Sequence, residues 1–293
     1  MLSTFIAQHK LPEKFRLTAE EHYQPLADRI FSQFSKSDKP YFVGINGCQG
    51  SGKSTLTDFI AEYLAQTYQL TIVVMSLDDF YYTGKKRQQL AQDVHPLLAT
   101  RGVPGTHDTV LLEKTLKNLA EKNTGFTIPR FNKATDEPYP ETQWSVIEKP
   151  ADIILLEGWC WGVMPQTDEQ LTAPVNELEL KHDGDGKWRT YVNQQLKDHY
   201  QPLYEKMDFW LALQAPSFDC VYQWRLEQEQ KLQDRNKDLA NSKMMESAGI
   251  LNFTQHFQRL SVQACNTILQ SADAIFYLDY ARNITALPVT ETV

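Results

Sequence analysis

The run Gly47-Cys48-Gln49-Gly50-Ser51-Gly52-Lys53-Ser54 fits G-x-x-x-x-G-K-[ST] at every fixed position, a pattern whose chemistry is the gripping of a triphosphate. Its glycines permit positive φ and let the backbone touch phosphate oxygens. Successive amides then form an anion nest at the positive end of the helix that follows. Lys53 is placed to reach the β- and γ-phosphates, and the Ser54 hydroxyl to ligate Mg²⁺. Gly47 through Ser54, with Thr55 beside them, are therefore the expected binding segment for ATP.

Transfer of a phosphoryl group also needs carboxylates, and three stand at the ends of apolar runs: Asp78, Asp79 and Glu157. In an open α/β sheet, ligands sit beyond the carboxyl ends of the strands. Glu157 closes Asp152-Ile153-Ile154-Leu155-Leu156, where an acid holds the metal directly or through water. Asp78 ends another run, where a carboxylate can accept the proton of an attacking hydroxyl. Asp79 is its immediate neighbour, and one of two adjacent side chains normally points away, so which of the pair serves as base stays open.

Several other patterns fail on inspection. Asn132-Lys133-Ala134-Thr135 begins like a guanine-reading element, but Thr stands where Asp is needed. Asp183-Gly184-Asp185-Gly186 hints at a calcium loop, yet its twelfth position is Gln194 instead of Glu. Trp159 and Trp161 read as packing groups, and Lys85-Lys86-Arg87 as a solvated loop face.

The elements that must position these groups follow from hydropathy. Residues 41–46, 70–77, 153–156, 209–213 and 274–278 are nearly continuous apolar runs, as strands buried on both faces of a parallel sheet are. Helical segments separate them, at 106–121, 217–234 and 243–269. Alternating strand and helix imply βαβ units and a three-layer α/β domain with a mostly parallel central sheet. Residues 1–40 form a helical lead-in, with Thr18 and Glu21 able to make a capping box although Pro25 would then lie inside the helix. Residues 41–293 form the main domain, in which 80–105 and 165–206 are substrate-side insertions. In the second insertion Trp188, Tyr191, Val192, Leu196, His199 and Leu203 fall near one helical face.

Of 293 residues, 42% are hydrophobic and 23% charged, which excludes disorder as the main state. A net charge of -8 argues against a general nucleic-acid binder. No run reaches the length of a membrane helix, and residues 1–10 lack the layout of a secretory signal. Cys48, Cys160, Cys220 and Cys265 form no CxxC pair, which fits a reducing, cytoplasmic setting. Oligomeric state has no sequence signal.

Ser76-Leu77-Asp78-Asp79-Phe80-Tyr81 and Leu155-Leu156-Glu157-Gly158 resemble the phosphoribulokinase, uridine kinase and pantothenate kinase branch of P-loop kinases. Together with Arg101-Gly102-Val103-Pro104-Gly105-Thr106-His107-Asp108 and Glu157-Gly158-Trp159-Cys160, they resemble the D-glycerate 3-kinase family. The resemblance implies the kinase type of P-loop fold and ATP- and Mg²⁺-dependent phosphorylation of a small hydroxylated metabolite. It implies that Asp78 serves as base or hydroxyl orienter, and that the segments holding His107, Asp108 and Arg130 line the acceptor site, with Asp79 and Tyr81 as further candidates there. It also implies a lid over about 217–245 that supplies Arg225, with Arg235 as a further candidate. For a small acid such as glycerate, Arg101, Arg130 and Lys133 are the candidate cations, and Asp108 has the simpler alternative of beginning the next helix. The alternatives are a kinase of the same branch acting on a nucleoside or pantothenate-like alcohol, and an ATPase switch gripping a partner.

Overall fold

The computed structural model of the chain describes residues 1–235 and 247–286, apart from the side chains of 228–235, 247–252 and 269. Six strands form the central sheet: β1 (Tyr41–Gly47), β2 (Ile72–Ser76), β3 (Ile153–Gly158), β4 (Phe209–Gln214), β5 (Ala274–Leu278) and β6 (Ile284–Thr285). Their order is β6-β5-β4-β1-β3-β2. All pairings are parallel except that of β5 with the short edge strand β6.

The near-continuous apolar runs have a simple physical cause. Successive side chains of a strand point to opposite faces, and both faces here are covered. Val73, Met75, Ile154 and Leu156 pack into one core, with Leu112 and Leu116 of helix Thr109–Ala120 and with Phe257 and Leu260 of helix Ser247–Thr267. Val43, Ile45, Ile153 and Leu155 pack into the other, with Leu56, Phe59, Ile60 and Leu64 of helix Lys53–Tyr68. The lead-in belongs to this second core: Phe5, Ala19, Tyr23, Leu26 and Ile30 are buried there, and the Phe5 ring meets that of Phe59 edge-on at 5.3 Å.

Four sequence expectations need correction. Thr18 makes no capping bond, because it lies within one helical run from Phe15 to Phe34. Ala19–Tyr23 in that run is π-helical, and Pro25 occupies the first turn after it, where the i→i−4 ladder is already interrupted. In the second insertion His199 is exposed and Tyr200 is buried instead. The cause is the π-helical turn Leu196–Tyr200, whose i→i+5 bonds lengthen the repeat and advance the buried stripe by a residue. Arg87 is no solvated loop residue: it lies in helix Gly84–Asp93, is 1% exposed, and bonds Tyr82 O, Asp136 O and the Asp136 carboxylate. Lys85 and Lys86 are exposed. The fourth concerns the run 70–77, where β2 ends at Ser76 and Leu77–Phe80 form a 3₁₀ turn.

The rejected motifs have structural uses. Asn132 Oδ1 accepts from Ala134 N at 3.0 Å, closing the tip of a ribbon made of Phe131–Asn132 and Glu137–Pro138. Asp183 accepts from Trp188 N and Arg189 N and so starts helix Lys187–Gln195. Trp159 and Trp161 are both buried.

Candidate active site

Parallel register places the chemistry at one level. Glu157 lies beside Ile45 of β1 on one side and Ser76 of β2 on the other. The loop that leaves β1 and the turn that leaves β2 therefore flank Glu157. Gly50 and Gly52 have φ of +80° and +92°, conformations that cost glycine nothing. At Gly50 a side chain is excluded twice, since a Cβ would also lie 2.5 Å from Trp224 Cβ.

Lys53 and Ser54 open the helix after the loop, where backbone N–H groups lack intrahelical partners. The Ser54 hydroxyl donates to Glu157 Oε1 at 3.0 Å. Lys53 Nζ stands 3.8 Å from Glu157 Oε2, an oxygen that is buried and makes no hydrogen bond. Gln49 Oε1 and Ser51 Oγ in the same loop are likewise buried without a partner. Unsatisfied groups of this kind are costly, and a phosphate–metal group offers what they lack. Burial pushes the Cys48 thiol up to about 12, against the pull of Lys53, so Cys48 stays protonated and serves through its backbone.

The 3₁₀ turn after β2 sends the two aspartates to different partners. Three residues per turn send neighbouring side chains about 120° apart. Asp79 turns to the strand segment 126–147, where Oδ2 meets Arg130 Nη1 at 2.7 Å and Oδ1 accepts from Phe131 N at 3.1 Å. Burial still leaves Asp79 above the ordinary carboxylate range, with Arg130 opposing it. Asp78 turns elsewhere, within the electrostatic reach of Lys53. Its Oδ2 accepts from Lys133 Nζ at 2.6 Å and its Oδ1 from the Tyr81 hydroxyl at 3.1 Å. Burial alone would raise Asp78, but Lys133 and then Lys53 outweigh it and hold the carboxyl well below the usual range.

A wall of aromatic and polar groups stands behind Asp78. Residues 80–82 pair with 106–108 through Tyr82 N to Thr106 O at 2.9 Å and Asp108 N to Phe80 O at 2.7 Å. That pairing stacks the His107 ring on Tyr81 at 4.3 Å. His107 Nδ1 lies 2.7 Å from the Tyr200 hydroxyl, while its buried Nε2 has no partner. Burial lowers His107 to about 3, against the opposing effect of Asp78, so the ring is neutral at ordinary pH.

The remaining expected residues fall into two groups. Arg101 is tied to the Asp136 carboxylate, reaches Lys133 O at 3.5 Å and lies over the Phe131 ring; Asp108 caps helix Thr109–Ala120 through Leu111 N at 2.9 Å. Arg130 is held by Asp79, Ser145 and Val74 O. These three brace the walls. Arg225 lies in helix Asp219–Arg235, its guanidinium over the Phe253 ring. The expected lid continues through residues 236–245, which lie outside the described residues, as does the side chain of Arg235. Thr55 is half-buried behind Ser54.

Sequence reasoning missed Arg282, whose Nε donates to Gly50 O at 2.8 Å, and Tyr200. Neither carries a local motif, because each meets its partner across a large sequence separation. Lys133 reads from sequence only as an anion-binding group, and its seat on Asp78 follows from the ribbon's hairpin geometry.

Among the described residues, no cluster of three His, Cys, Asp or Glu could hold a metal alone, and no helix is long and apolar enough to cross a membrane.

Comparison with known proteins agrees with this geometry. The profile of the Phosphoribulokinase / Uridine kinase family matches residues 42–178. The uncharacterized kinase mug58 of Schizosaccharomyces pombe is 31% identical over 245 residues, which span 79% of this chain and 85% of that one. The chloroplastic D-glycerate 3-kinase of Arabidopsis thaliana is 30% identical over 237 residues, 75% of this chain but 49% of the plant protein, so the match spans about half of that relative. The solved D-glycerate 3-kinase of Cryptococcus neoformans superposes with a TM-score of 0.76 at 25% identity, over 90% of this chain and 97% of that one. A loop for triphosphate, an acid at the end of β3 and relatives that are kinases make this an ATP-dependent small-molecule kinase. The chain belongs to the phosphoribulokinase and uridine kinase family, in the D-glycerate 3-kinase-like branch of its P-loop kinases.

Proposed function

We propose that the chain transfers the γ-phosphoryl group of Mg²⁺–ATP to a hydroxyl of a small hydroxy acid most like D-glycerate. The observation that carries this reading is Asp78, a carboxylate that feels the charge of Lys53 and has Lys133 at 2.6 Å beside it. An acid in that place can align an alcohol and take its proton, and a cation in that place can receive the alcohol's own carboxylate.

Residues 47–55 would hold the triphosphate, with Lys53 placed to reach its β- and γ-oxygens. Ser54 and Glu157 fit Mg²⁺, an ion that needs only one or two protein oxygens, and would hold it. When bound, the ion neutralises charge on the phosphates. Asp78 orients the acceptor hydroxyl in line and accepts its proton as oxygen bonds to phosphorus and the bond to ADP breaks. Neutral His107 directs its unpartnered Nε2 to a second acceptor hydroxyl. Arg225 approaches the transferring group from the helix after β4. Arg130 and Asp108 act through the walls they brace.

A coupled ADP-release screen over short hydroxy acids, nucleosides and vitamin alcohols tests the proposal. Stimulation by a hydroxy acid with product phosphorylated on a hydroxyl supports it. Stimulation by a nucleoside or pantothenate-like alcohol alone moves the acceptor, and stimulation only by a macromolecule replaces the enzyme with a switch.

A further inference from the structure

Lys133 differs from every other described cation on the acceptor side. Arg130 is fixed by Asp79, Ser145 and Val74. Arg87 is buried on three carbonyls and Asp136. Arg101 is tied to Asp136 and to the Lys133 carbonyl. Lys133, by contrast, makes a single hydrogen bond with its side chain among the described residues, to Asp78 Oδ2 at 2.6 Å. Its side chain is 61% exposed, whereas that of Asp78 is 22% exposed. The backbone under it is anchored, because Arg101 grips the ribbon tip at Asp136 and at Lys133 O. The result is an exposed, singly bonded ammonium on an anchored backbone, seated on the one carboxylate that the proposed transfer needs unoccupied.

We infer that Lys133 is an anion-released latch on Asp78. With the acceptor site empty it occupies the carboxylate and keeps it from a water molecule. An acceptor that carries its own anionic group draws the ammonium off and exposes Asp78 to the hydroxyl of that same molecule. The inference rests on the phosphoryl-transfer reading above and adds two properties to it: selection of anionic over neutral alcohols, and suppression of ATP hydrolysis in the absence of acceptor. The suppressed side reaction is balanced as the main one is: water oxygen bonds to the γ-phosphorus, the bond to ADP breaks, and the water proton passes to Asp78.

The physical basis is competition for one ammonium. A carboxylate–ammonium contact at 2.6 Å is a charge-assisted hydrogen bond, and a neutral alcohol offers nothing that replaces it. An anionic alcohol offers an equivalent partner, so the exchange is nearly balanced for it and uphill for the neutral analogue. Tyr81 keeps its bond to Asp78 Oδ1 throughout, so the carboxylate holds its orientation when Lys133 leaves.

Lys133→Met and Lys133→Arg test the latch on the full chain with Mg²⁺–ATP, glycerate and glycerol, with circular dichroism and Tm confirming that each variant is folded. Lys133→Met is expected to raise acceptor-free ADP release several-fold, to raise KM for glycerate by about tenfold or more, and to narrow the preference for glycerate over glycerol. Lys133→Arg, which keeps the charge, is expected to restore acceptor-free release toward the wild-type rate. A purely structural lysine would lower all rates together. Acceptor-free release that stays level or falls in Lys133→Met overturns the latch, even if glycerate remains the substrate. Should no alcohol stimulate the wild-type protein, the transfer reading fails separately, and the acceptor-free comparison still decides the latch.

Discussion

Arg282 Nε donates a 2.8 Å hydrogen bond to the carbonyl of Gly50, joining the turn after β5 to the middle of the phosphate loop. The same guanidinium lies over the Trp224 ring at 5.1 Å and pairs with Glu227 at 2.7 Å, so one side chain ties the loop to the first half of helix Asp219–Arg235. Trp224 in turn donates to Tyr280 O at 2.9 Å. The arrangement sets the curvature of the loop from outside it.

Arg282→Ala should therefore weaken nucleotide binding without touching the acceptor. A net loss of about 1 kcal/mol for the bond to Gly50 corresponds to roughly fivefold in affinity. Calorimetric titration with Mg²⁺–ATP measures it, and the KM for the acceptor is the internal control, expected to stay constant. Equal weakening of both would place Arg282 in a general stabilising role.

Asp78→Asn keeps the shape of the turn and its bond to Tyr81 but removes the proposed proton acceptor. The expected fall in kcat is about 10²–10⁴-fold, with nucleotide affinity preserved because Lys53, Ser54 and Glu157 are untouched. Asp79→Asn should act differently, since Asp79 binds Arg130 and Phe131 N: its main effect should be on Tm. A steady-state comparison of the two variants separates base from brace.

These two aspartates also show where sequence reading stops. The phosphate loop and Glu157 were legible because each lies within one strand and the turn that follows, so the pattern and its geometry are local. The divergence of Asp78 from Asp79 depends on a 3₁₀ turn, which composition does not announce. Arg87 looked solvated because its neighbours in sequence are lysines, whereas its partner Asp136 comes from a ribbon 49 positions away. The exchange of His199 for Tyr200 in the core came from assuming 3.6 residues per turn where the helix has a π turn. Local periodicity carried the sheet and the loop; long-range pairing built the acceptor wall.

Phe5→Ala tests whether the lead-in is part of the folding unit. Phe5 is fully buried, stacks on Phe15 and meets Phe59 edge-on, and Phe59 lies in the helix that begins at Lys53. Truncating a buried phenylalanine costs about 3–5 kcal/mol. The urea midpoint should fall accordingly, in a single transition. A separate early transition for residues 1–34 would instead mark an independent segment.

His107 gives a signature in pH. Burial holds it at about 3 in the native chain, while an unfolded histidine titrates near about 6.5. Between those values the unfolded chain binds a proton that the native chain excludes, so stability rises with pH across the window and is lost as pH falls. The contribution to the slope is at most about 1.4 kcal/mol per pH unit. His107→Gln removes that proton, and its Tm should decline less steeply than the wild type's from about pH 6.5 to about pH 4.5. Parallel curves would mean that His107 is not excluded from protonation in the native chain.

The position of β1 in the sheet has a kinetic consequence. β3 and β2 lie on one side of it and β4 and β5 on the other. Asp78 and the Lys133 ribbon come from the first side, and Trp224 and Arg282 from the second. On the proposed reading the alcohol meets the loop from the first side, and the second side is left to the nucleotide. Direct transfer between two such seats needs both molecules resident together and leaves their order of arrival free, so double-reciprocal plots should intersect and never run parallel.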